Sequence, residues 1–161
     1  MLSNRFITRI LTAMLITGLV AMISCSSSDD EVPSNIIKDD TGIKIDLDWT
    51  TGGTVNDALS EADLDLIIYK NDVEVLSSKK SAGFERIEFD PNLYADGTYV
   101  MAVYLYSNDE DVTYTATVNG VTVSKPYTFT STFDSEDDDR EVKGLTIVKS
   151  GNSYTVTDFS N

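Results

Sequence analysis

Ile43-Lys44-Ile45-Asp46-Leu47-Asp48-Trp49 decides the fold of this chain. Its apolar residues fall at every second position. Successive side chains of an extended strand point to opposite faces, so Ile43, Ile45 and Leu47 turn inward while the lysine and aspartates meet water. Trp49 keeps that phase and is expected to close the core at the strand's end rather than offer a stacking platform.

The same alternation recurs in both directions, punctuated by Gly, Asn, Asp and Ser, and no apolar repeat at helical spacing persists over three turns. Downstream, residues 50–61 with Gly52-Gly53 read as a loop carrying one helical turn near Asp57 to Ala62. In Asp63-Leu64-Asp65-Leu66-Ile67-Ile68-Tyr69, Leu64, Leu66 and Ile68 share one face, and Asp63, Asp65, Ile67 and Tyr69 the other. Asn71-Asp72 is a tight turn into Val73 to Ser77, and a polar linker, 78–83, leads to Phe84 to Phe89.

Asp96-Gly97 introduces the longest strand, Thr98 to Tyr106, apolar on both faces. It reads as a central strand covered on both sides, or one with an exposed aromatic face at Tyr104 and Tyr106. Asn119-Gly120 is the strongest hairpin signal, between Val112–Val118 and Val121–Ser124. Pro126 cannot donate a ladder hydrogen bond, so Tyr127 to Phe133 is expected to be bent or at an edge. The run 134–139 is a solvated acidic loop, and Gly151-Asn152 turns the last hairpin between 142–150 and 153–159. Some eight or nine short strands at this spacing predict an all-β protein, a single antiparallel β-sandwich over residues 42–161.

Composition narrows the chemistry. The net charge is −15, which repels nucleic acid and anionic lipid surfaces and favours cations, basic partners or neutral ligands such as sugars. The chain has no histidine and one cysteine, Cys25. The usual general base and the commonest transition-metal ligand are therefore missing, and no disulfide forms within the chain. A glycosidase would need two placed carboxylates, but Glu85 and Glu88 fall on opposite faces of their strand. The expectation is a protein that is not an enzyme, with no cofactor other than a candidate calcium ion.

The N-terminal stretch has its own pattern. Arg5 and Arg9 precede an apolar run from Ile10 to Ile23, and Met22-Ile23-Ser24-Cys25 follows. A run of about fourteen residues is short of the roughly 20 that span a bilayer. The order resembles a bacterial lipoprotein signal, 1–24, with Met22 where leucine is usual. The resemblance implies Cys25 as the lipidated N-terminus. Residues 25–41 then form a lipidated end and flexible tether, poor in apolar side chains. Ser26-Ser27-Ser28-Asp29-Asp30-Glu31 resembles the export signal of Bacteroidota-type lipoproteins, which implies an outer-membrane location facing the cell exterior.

Within the body, Leu47-Asp48-Trp49, Asp63 to Leu66, Phe84 to Phe89 and Gly97-Thr98-Tyr99 together resemble the pre-peptidase C-terminal-type jelly-roll sandwich, over residues 43–107. Such domains are accessory or binding modules, some holding calcium near an Asp-x-Asp strand. The resemblance therefore implies Asp63 and Asp65 as calcium ligands. Exposed aromatic groups at Tyr104, Tyr106 and Tyr127 are the candidates for ligand contact. The leading expectation is a binding or interaction module for glycan or protein, joined to the membrane only through its lipid. The alternatives are a structural lipoprotein whose edge strands pair with another envelope protein, and an accessory domain of a secreted hydrolase system.

Overall fold

The computed structural model describes residues 32–81 and 83–160. The signal, Cys25 and the acidic run of 29–31 lie outside the described residues. Among the described residues ten strands and one helix follow in order: β1 (Ile36–Lys38), β2 (Ile43–Thr50), α1 (Val55–Glu61), β3 (Ala62–Lys70), β4 (Val73–Ser78), β5 (Phe84–Phe89), β6 (Gly97–Asn108), β7 (Val112–Gly120), β8 (Tyr127–Phe133), β9 (Arg140–Ser150) and β10 (Ser153–Asp158). They form two antiparallel sheets packed face to face, one of six strands in the order β1-β10-β9-β6-β3-β4 and one of four in the order β5-β2-β7-β8. The all-β sandwich expected from alternation is the fold, with ten strands among the described residues rather than eight or nine.

The alternation of β2 does what its pattern demands. Ile43, Ile45 and Leu47 are fully buried and Trp49 nearly so, because β2 lies between β5 and β7 with one face on the core. The Trp49 indole N–H donates to the Ala58 carbonyl at 3.3 Å, which fastens α1 over the end of the sandwich. The helix starts earlier than the expected turn because Thr54 and Asp57 form a reciprocal capping box. At the opposite end Phe89 gathers Tyr94, Tyr99 and Tyr154 at ring separations of 4.6, 4.8 and 6.1 Å, geometries that favour aromatic pairs.

Two expectations about chain path are corrected. The tether was expected to run to Thr41, yet Ile36–Lys38 pair with β10 and Ile37 is fully buried. Three residues are too few to show a period, so the strand is invisible to pattern reading. The turn expected at Asn119-Gly120 is displaced as well. β7 runs through Gly120, opposite Ile43 of β2, and the chain reverses over 121–126. The reason is Asp39, 3% exposed. Its carboxylate accepts from the N–H groups of Thr122 at 2.6 Å, Val123 at 2.8 Å and Thr41 at 2.8 Å, and from the Thr122 hydroxyl at 3.0 Å. A side chain at Gly120 would meet the Val123 carbonyl and this carboxylate at 2.5 and 2.7 Å, so glycine serves close approach here, not a turn. Burial pushes the Asp39 pKa up, and the N–H groups of Val123, Thr122 and Thr41 outweigh it and hold the carboxyl below its ordinary value. By contrast Asn71 and Asp72 turn as expected, both at positive φ (52° and 58°), the conformation of a type I′ hairpin.

Candidate functional site

The expected site residues distribute over both sheets. On the outward face of the six-stranded sheet, Asp65 of β3, Tyr104 of β6 and Glu141 of β9 stand in one cross-strand row. Next to it lie Ile67, Ala102 and Lys143. Ile67 and Ala102 are buried although they point away from the sandwich core. The cover is local: the Tyr69 hydroxyl reaches across β6 to donate to Glu141 Oε2 at 2.6 Å. Burial, then the hydrogen bond and charge of Glu141, push the Tyr69 pKa up to about 12, so the phenol remains a donor throughout the neutral range. Thus β6 is central and covered at Ala102, but its outward face ends in Tyr106, 64% exposed.

Lys143 completes the surface. Its ammonium lies 3.3 Å from Asp72 Oδ1 and 5.7 Å from the Phe159 ring centroid. Glu141, Val142, Lys143 and Phe159 line an open recess of about 340 Å³, continued by one of about 170 Å³ between Tyr69, Asp72, Glu141 and Lys143. Tyr69 spends its single proton on Glu141. Glu141 keeps further lone pairs and Lys143 further protons toward these recesses, while Tyr106 lines neither.

Tyr127 does not belong to this surface. It sits on β8 of the other sheet, packs against the core, and donates from its hydroxyl to Asp158 Oδ1 at 2.9 Å. It is a strap between the sheets, whereas Tyr104 and Tyr106 lie on the outward face of the six-stranded sheet. The reason is register: Tyr127 pairs with inward-facing Val118.

Asp63 and Asp65 do share the outward face of β3, as the period of two requires. Burial, followed by the charge of Asp63, raises the Asp65 pKa. Among the described residues Asp63 Oδ1 is buried without a hydrogen-bond partner, beside a recess of about 190 Å³ lined by Leu59, Ser60, Ala62, Asp63, Ser81 and Ser107. Among the described residues no three carboxylates, histidines or cysteines converge in a metal-binding group. Glu85 and Glu88 do face opposite ways. Glu85 is fully buried and accepts from the Ser78 hydroxyl and from the Lys80 N–H at 2.8 Å, whereas Glu88 is exposed.

Sequence reading placed Tyr69 on the correct face but missed Glu141, Lys143 and Phe159. The strand was expected to begin at Val142, although the alternation of Glu141 and Lys143 around it was available. No protein-family model, curated protein or solved structure matches this chain.

Proposed function

We propose that this chain is a non-catalytic lipoprotein, anchored through Cys25 to the outer membrane and facing the cell exterior, whose sandwich binds a neutral, hydroxyl-rich ligand such as a glycan. The observation that carries the reading is the outward run of Tyr104 and the exposed Tyr106 along β6, with Glu141 directly opposite Tyr104 and Lys143 one outward position further along β9. An aromatic ring stacks on the apolar face of a sugar, while carboxylate and ammonium groups bond its hydroxyls. The acidic body disfavours phosphate-bearing partners.

From Cys25 to Ile36 the chain spans at most about 40 Å. The test is a glycan array and calorimetry on the lipidated protein. Tyr106→Ala is expected to weaken binding about tenfold, in the range of a lost stacking contact, and Tyr127→Phe to leave it unchanged. Binding that survives Tyr106→Ala and Tyr104→Ala together would refute the assignment of this face.

A further inference from the structure

Four strands form the edges of the two sheets, and three carry a device that discourages pairing. β1 is only three residues long. β4 carries Glu74 and meets β3 through a bulge between Ile68 and Tyr69. β5 presents Arg86 and Glu88 to solvent. Short length, charge and bulges are the means by which exposed edges avoid new partners.

The fourth, β8, has none of these. Tyr-Thr-Phe-Thr-Ser-Thr-Phe over 127–133 is uncharged, and its ladder with β7 is unbroken. Its inward Phe129 is only partly buried against the core, because among the described residues no strand of the sheet lies beyond it. On the outward face Thr115 and Thr130 hydroxyls lie 3.1 Å apart, a short polar layer with no charge to repel an added strand.

We propose that β8 is the seam of a homodimer, pairing antiparallel with β8 of a second copy. The chain's own charges select that occupant. The register that pairs the whole strand places Thr130 opposite Thr130, and sets Lys125 of each copy against residues 134–136 of the other. The Lys125 ammonium donates to the Val32 and Pro33 carbonyls at 2.9 and 2.8 Å, and among the described residues it forms no ion pair with a carboxylate. Across the seam it meets Asp134 and Glu136. The same antiparallel arrangement separates the two acidic loops by a strand length of about 20 Å, well beyond the roughly 8 Å screening length at physiological salt. A parallel arrangement would stack those loops on each other. The seam and the aromatic face lie on different sheets, so either can fail without the other.

The test is crosslinking in cells producing the full chain, with a short thiol-specific bifunctional reagent and the unsubstituted protein as control. Thr130→Cys is expected to give a covalent dimer, because directly opposite residues in an antiparallel pair have Cβ atoms about 5 Å apart. Thr128→Cys should link poorly to itself and well to Thr132→Cys. Glu88→Cys, on the β5 edge, should give no dimer. In sedimentation of the purified protein, Thr130→Lys should raise the dimer dissociation constant about tenfold or more, since it places like charges opposite each other. A Thr130→Cys dimer yield no greater than that of Glu88→Cys would overturn the proposal, as would linkage of Thr130→Cys to a different protein.

Discussion

β5 and β8 are the two edges of one four-stranded sheet, and they treat the solvent in opposite ways. Along β5 the outward positions hold the exposed Phe84, Arg86, bound to Asp46 of β2 by two hydrogen bonds, and Glu88. Even its inward side carries a carboxylate, Glu85, tied to Ser78 and Lys80, so β5 is sewn to the neighbouring sheet. Along β8 the outward positions are threonines and the inward ones are Tyr127, Phe129, Ser131 and Phe133. The charges that frame it, Lys125 and the loop of 134–139, stand just beyond its ends. One edge is sealed by charge and the other left open, which is the distribution expected where a single edge is kept for pairing.

The largest test of that contrast lies at the entry to β8. Asp39 organises the 121–123 turn that delivers the strand, and Asp39→Ala leaves several buried donors without an acceptor. The expected loss is about 3 to 4 kcal/mol in urea unfolding, accompanied by greater proteolysis within 121–126. Because the folded Asp39 pKa lies below its unfolded value of about 3.9, its contribution is fully present above that pH and lost as pH falls through the folded value. Wild-type stability should therefore fall faster than that of Asp39→Ala on acidification below about pH 4. Equal acid sensitivity of the two proteins would contradict the role given to Asp39.

At the sealed edge the expected effect is somewhat smaller. Glu85→Ala strands the Ser78 hydroxyl and the Lys80 N–H, and should cost about 2 to 3 kcal/mol. It should also loosen β5 from β4, seen as faster amide exchange in 79–89 with β8 unchanged. A loss confined to β8 would mean that the two edges are not independent.

The parts legible in the sequence are those where a periodic face meets a core. β2, β3 and β6 follow alternation, and Asn71-Asp72 turns as its residue types dictate, because local preference and tertiary burial agree there. The Asn119-Gly120 turn failed because Asp39, some 80 positions away, rewards a different path. β1 was missed because its one inward residue, Ile37, carries no period. The shared outward face of Tyr104 and Tyr106 was legible from alternation. Tyr127 lies apart from them because it stands on the inward register of the other sheet, opposite Val118. Glu141 and Lys143 were missed because the ladder shifts near Gly144, where an added side chain would strike Phe129 and Met101 at 2.8 and 2.9 Å. That shift breaks the alternation that would have linked them to Thr146 and Val148.

The contrast between the edges is tested most directly by amide hydrogen exchange on the purified protein over a range of concentrations. If β8 is the pairing edge, amides of 127–133 gain protection as concentration rises while those of 84–89 do not change. No concentration dependence at 127–133, or a gain at 84–89 instead, would contradict it.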